Sequence, residues 1–270
     1  MKTLILAPFL LSLGQTIVGS MDVPRMGKIL LDLDISGGKQ NYITVSMSKN
    51  FQNGINYSIN KSVSHQFALG NILDNGELVF PGDPTVMNRH VLLVPREDGT
   101  NYLRIITRYK EHGSYRTSIH EFVRTPSDLH YNQISRNPFD IDILNHDSDE
   151  FVSAEILVNW QKHNEGVANG RATMDTPEDL ETMPMKFTIQ KNMQDKLFIG
   201  RVFFNGKIVD DKTDGLLSRD VTWEGGLDMP RIIILSRYND GTRLLIRYDV
   251  ISGEFIVKGI NKLPTYEAMT

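Results

Sequence analysis

The chain has 270 residues, no cysteine and a formal net charge of -4. Without cysteine there can be no disulfide scaffold, thiolate metal site or cysteine nucleophile, and the acidic balance argues against nucleic acid as a partner. With 40% hydrophobic and 23% charged residues, the composition is that of a globular chain, long enough for one large domain or two small ones.

The N-terminus departs from that average. Lys2 precedes the apolar run LILAPFLLSL, and small residues follow up to IVGS. A short basic region, an apolar stretch and a small-residue site predict a secretory signal peptide over residues 1–20. The run falls short of the ~20 apolar residues that span a bilayer, and no later stretch is more apolar. The expectation is a secreted, extracellular protein with no stable membrane insertion.

From residue 28 onward the apolar period is two. In KILLDLDI, Ile29, Leu31, Leu33 and Ile35 fall on one face, with Asp32 and Asp34 on the other. In NYITVSMS, Ile43, Val45 and Met47 share a face. Such alternation predicts half-buried strands of antiparallel sheets. Two sequons follow, at Asn56 and Asn60, each a candidate glycosylation site in a secreted chain.

YSINKSVSHQFALGNILDNGELV at 57–79 then recurs at 187–209 as FTIQKNMQDKLFIGRVFFNGKIV. Ile59/Ile189, Lys61/Lys191, Gly70/Gly200, Asn75/Asn205, Gly76/Gly206 and Val79/Val209 are identical at an offset of 130. Asn-Gly between apolar runs predicts a two-residue hairpin loop, because both central residues need positive φ. A second match pairs MNRHVLLVPREDGT at 87–100 with MPRIIILSRYNDGT at 229–242, and aligns Arg89 with Arg231 and Asp98 with Asp240. Its larger offset implies an insertion in DDKTDGLLSRDVTWEGGLD. A weaker match sets 27–33 against 153–160.

Two collinear blocks predict a tandem duplication. The expected organisation is a β domain over 21–126, an acidic connector over 127–152 and a second β domain over 153–270. Each domain should be an all-β antiparallel sandwich of seven or eight strands, with a small barrel as the second choice. TPEDLETMP at 176–184 is the one candidate helical turn.

Chemistry is sparse. There is no G-x-S-x-G elbow, H-E-x-x-H, P-loop or G-x-G-x-x-G, so no cofactor is expected. The run DIDILNHDSDE is acidic but lacks calcium-loop spacing. The seven histidines are scattered, and His112, His120 and His130 form the one grouping worth testing as a metal site. The polar pairs Lys61/Lys191 and Arg89/Arg231 read either as strand-end charges or as a ligand contact used twice. Trp223, beside Gly225 and Gly226, reads either as an exposed contact for a sugar or protein or as part of a core strand. The function expected is non-enzymatic: binding of an extracellular protein or glycan, or self-assembly. The alternatives are a hydrolase with its site between the two units, and a carrier of a small apolar ligand lined by Phe67, Phe198 and Phe203.

Overall fold

The computed structural model describes residues 27–38, 40–111, 113–157 and 184–264. The 1–20 stretch expected to be a signal peptide, Trp160, His112, His163 and most of the 176–184 segment lie outside them.

The described chain is all β. The first half contains β1 (Ile29–Asp34), β2 (Ile43–Met47), β3 (Ile55–Ile59), β4 (Phe67–Asp74), β5 (Glu77–Phe80), β6 (Val86–Pro95), β7 (Asn101–Glu111), β8 (Ser114–Arg124) and β9 (Asn132–Gln133). The second contains β10 (Asn137–Asp142), β11 (Val152–Ile156), β12 (Met185–Ile189), β13 (Leu197–Phe204), β14 (Lys207–Asp210), β15 (Leu216–Glu224), β16 (Arg231–Tyr238), β17 (Arg243–Ile251) and β18 (Glu254–Leu263). Each half pairs a three-stranded sheet, β1-β4-β5 or β10-β13-β14, with a six-stranded one, β2-β3-β6-β7-β8-β9 or β11-β12-β15-β16-β17-β18. The predicted duplicated sandwich is therefore present, with one pairing the alternation did not reveal. β1 runs parallel to β4, and β10 parallel to β13.

The cores lie between the two sheets of each half. Leu33, Leu69 and Ile72 from the small sheet meet Val91, Leu103 and Ile105 from the large one. Their counterparts are Ile141, Ile199, Val202, Val221, Ile232 and Ile234. Full burial of each such side chain contributes about 1.5–3 kcal/mol, which lets the fold dispense with cross-links. The large sheets are wider than the small ones. Val45 and Met47 on edge strand β2 therefore stay 49% and 67% exposed, although they face the same way as buried Ile43.

The 57–79 match is structural throughout: strand, 3-10 turn (Lys61–Val63 or Lys191–Met193), strand and Asn-Gly hairpin all recur at an offset of 130. Asn75 and Gly76 have φ of 52° and 79°, and Asn205 and Gly206 50° and 73°, as the tight hairpin requires.

The second match does not correspond to equivalent places in the fold. Residues 87–95 lie on β6, whose counterpart is β15, still at an offset of 130; residues 231–238 form β16, the counterpart of β7. Asp98-Gly99-Thr100 and Asp240-Gly241-Thr242 close different hairpins with the same chemistry. In each, the Asp carboxylate accepts the Thr N–H, at 2.9 and 2.8 Å. Arg89 is thus the counterpart of Arg219, not of Arg231. The 210–228 stretch carries no insertion. The extra length lies between β11 and β12, over 157–184, where the first half has only 48–54.

The stretch expected to be a connector, 127–152, contains a core strand. β10 pairs with β13 as β1 pairs with β4: Asn137 opposite Leu197, Ile29 opposite Phe67. The second half begins there, and 153–160 is not the counterpart of 27–33.

Contacts among the described residues join the halves. The Arg96 guanidinium makes two bonds to the Asp195 carboxylate, the longer 3.1 Å. Arg136 donates to the Gln194 carbonyl, and the Ile119 N–H donates to the Asn239 carbonyl at 2.7 Å.

Candidate functional site

Most of the polar residues that recur between the halves build the fold. In each, the parallel strand pair is interrupted by a bulge: Leu31 and Leu33 face Leu69 and Ile72, and Phe139 and Ile141 face Ile199 and Val202. The extra residue leaves backbone groups without ladder partners. Asp32 accepts the Asn71 N–H at 2.9 Å, and Asp140 accepts the Arg201 N–H at 2.7 Å. The freed Gly70 carbonyl is taken by Arg89, and that of Gly200 by Arg219. The second Asp of each D-x-D, Asp34 or Asp142, accepts both N–H groups of its Asn-Gly turn. Asp140, Asp142 and Asp149, three of the five carboxylates of the acidic run, are thus committed to backbone.

Arg89 and Arg219 are buried, at 0% and 1% exposure, so the position proposed for a ligand is closed to one. Their Nε groups donate to Thr107 and Ser236 at 3.1 and 3.2 Å. The halves differ in the counter-charge. Arg219 pairs with Asp210 at 3.1 Å, and Tyr248 donates to the same carboxylate at 2.6 Å. In the first half Phe80 stands where Asp210 does, and its ring lies 4.9 Å from the Arg89 guanidinium carbon. Burial pulls Arg89 below its usual range, partly offset by Tyr109 and Asp83.

The other candidates scatter. Arg231 bridges Glu224 and Asp249, each at 3.2 Å, on the rim of the large sheet. Lys61 and Lys191 are exposed on their 3-10 turns. Asn60 is exposed before the first of these turns, whereas Asn56 is half-buried within β3. Phe67 stacks on Tyr42 at 5.2 Å, Phe198 is buried and Phe203 lies under Arg201, so the three do not line one space. His120 lies against Phe80 at 4.8 Å and His130 against Glu77. Among the described residues no group of three or more His, Asp or Glu is placed to hold a metal ion. No described helix is long and apolar enough to cross a membrane.

Trp223 takes the core-strand place. It is 6% exposed, pairs on β15 with Ile232 and meets Phe204 edge-on at 5.8 Å. Its two faces are buried, so it cannot stack on a sugar. It does shape the loop beside it. The indole Nε1 donates to the Gly226 carbonyl at 3.3 Å. Gly225 and Gly226 have φ of 87° and 66°. A Cβ on Gly225 would stand 2.2 Å from the Met229 carbonyl oxygen. The pinned turn holds Leu227 and Met229 outward at 53% and 79% exposure, with exposed Asp228 between them. Apolar tips on a backbone-fixed turn lose little backbone entropy when they bind. Of the two readings of Trp223, the core-strand one holds, and the Gly-Gly pair marks the tight turn beside it.

Gly225→Ala should cost about 1–3 kcal/mol, since it adds left-handed strain to a backbone clash. Gly206→Ala, with φ also positive at 73° but nothing within 4 Å, should cost less. Urea midpoints of the two variants compare them directly.

A polar cluster that the sequence did not signal lies at the joint of the halves. Glu121, 5% exposed, accepts from Tyr102, from Arg104 at 2.9 Å and from Arg136 at 2.5 Å. Burial pushes its carboxyl up, but Arg104, Arg136 and Tyr102 outweigh that and hold it at about 2. Arg136 carries the cluster across to Gln194.

This architecture defines a class, a tandem pair of β-sandwich halves. Comparison with known proteins takes the identification no further: no family model, no curated protein and no solved structure matches the chain.

Proposed function

We propose that this is an exported, non-enzymatic binding protein whose contact site is the 225–230 turn, and that its partner is another protein surface. The observation that carries this reading is the turn itself: Leu227 and Met229 are displayed by a loop that Trp223 and two positive-φ glycines hold in one shape. A protein fits better than a glycan, because the tips are aliphatic and the one aromatic candidate, Trp223, is inside. Asp32, Asp34 and Arg89 and their counterparts Asp140, Asp142 and Arg219 are committed to bulges and turns, which favours binding over hydrolysis. Export rests on the Lys2 and LILAPFLLSL leader pattern. In an exported chain Asn60, exposed before its 3-10 turn, is the better placed of the two glycosylation sites.

A photo-reactive residue at position 229, in protein secreted into its native extracellular fluid, tests this. We expect one discrete protein adduct, lost in Leu227→Asp. A photo-reactive residue at Leu129, which is 83% exposed elsewhere, should give none. Equal, diffuse labelling from both positions would end the proposal.

A further inference from the structure

We infer that the protein surface received by this turn is a second copy of the same chain, joined head to tail; the inference rests on the reading of the turn as a contact site. Within the chain, the joint uses different patches of two equivalent units. The first half contributes Arg96, at the β6–β7 turn, and the second contributes Asp195, just after its 3-10 turn. A contact of this heterologous kind leaves one copy of each patch unused. On the second half the unused patch is the β15–β16 turn, the counterpart of the β6–β7 turn that carries Arg96. On the first half it is the 3-10 turn at Lys61–Val63 and the residues beside it.

Both unused patches differ from their engaged counterparts in the same direction. Where the joint has Arg96, the free turn has Leu227 and Met229. The free first-half end exposes Ile29 at 59% and Tyr42 at 52%. Ile29 and Tyr42 belong to that end: the Ile29 N–H donates to the Gln66 carbonyl at 2.9 Å, and the Asn60 N–H to the Tyr42 carbonyl at 2.8 Å. Their counterparts by pairing are polar Asn137 and half-buried Phe151. Charge is complementary as well. Exposed Asp228 sits between the apolar tips of one patch, and exposed Lys61 beside Tyr42 on the other.

One part of the intrachain joint does not recur between copies. The edge of β8 that offers the Ile119 N–H to Asn239 corresponds to the edge of β17, and β18 covers that edge from Arg243 to Ile251. The contact between chains is thus smaller than the one within the chain. It should be reversible, concentration-dependent and weakened by salt.

Sedimentation of the purified full chain, from micromolar to millimolar concentration, tests the inference. The wild type should form a ladder of linear oligomers. Met229→Asp blocks one end and Tyr42→Asp the other, so each alone should be monomeric. An equimolar mixture should give heterodimers and nothing larger, through the one intact end that each retains. Both residues are exposed, and because Tyr42 also stacks on Phe67, unchanged circular dichroism of each variant is required before its oligomers are compared. As a second measurement, Asp228→Lys or Lys61→Glu alone should weaken association about tenfold, near 1.4 kcal/mol, and the double variant should regain it. A wild type that stays monomeric throughout overturns self-assembly; adducts at position 229 with a different protein would then leave the turn's role intact. Oligomers that persist in either variant, or a mixture that fails to pair, overturn it equally.

Discussion

Arg219→Met should destabilise the second half by about 3–5 kcal/mol, the usual cost of breaking a buried ion pair from one side. The substitution leaves the Asp210 carboxylate, 5% exposed, with only the Tyr248 hydroxyl and the Lys212 N–H. It also abandons the Gly200 carbonyl that the bulge frees. Against a total stability of about 5–15 kcal/mol for a domain, that loss is severe. Arg89→Met should cost less, roughly 1–3 kcal/mol for unpaired carbonyls, because no buried carboxylate is stranded. Urea titrations followed by far-ultraviolet circular dichroism, which reports both halves, should show a larger loss of stability in Arg219→Met than in Arg89→Met. Equal losses would mean that Asp210 contributes nothing to the pair.

Glu121→Gln should cost roughly 3 kcal/mol, because Arg104 and Arg136 then face each other without their carboxylate. The effect depends on pH with a definite sign. The folded carboxyl is held at about 2, below the ordinary 4.5. A depressed carboxyl stabilises the fold fully above its unfolded value and loses that contribution as pH falls through the folded one. Wild-type stability should therefore drop between pH 4.5 and 2, and Glu121→Gln should be flatter across that window. Because Arg136 also holds the Gln194 carbonyl, the variant should uncouple the halves, and two unfolding transitions should replace one in calorimetry. An unchanged acid profile would remove Glu121 from the joint.

What the sequence disclosed and what it concealed have physical reasons. Strands were visible where one face is buried, as in TRLLIRYDV, and hairpins were visible where Asn-Gly must adopt positive φ. β10 was concealed because Asp140 and Asp142 resemble a solvated run. Their partners, the N–H groups of Arg201, Asn205 and Gly206, lie more than sixty residues away. The match of 87–100 to 229–242 misled because Asp-Gly-Thr closes any tight hairpin. The true counterpart, 86–94 with 216–224, keeps only Arg89/Arg219 and Val91/Val221. That pair of arginines, at the same offset as the first block, was the overlooked signal. The joint had no local signature, since Tyr102, Arg104, Glu121 and Arg136 meet only after three strands have paired.

The most direct test of the central claim, that the 225–230 turn is the contact surface, is the rate of methionine oxidation read by mass spectrometry. Met229 and Met47 are 79% and 67% exposed in the isolated chain, so both should oxidise quickly in dilute purified protein. In its native setting the account predicts that Met229 is protected while Met47 still reacts. Met229 oxidising as fast there as in dilute solution, with Met47 as the internal standard, would contradict it.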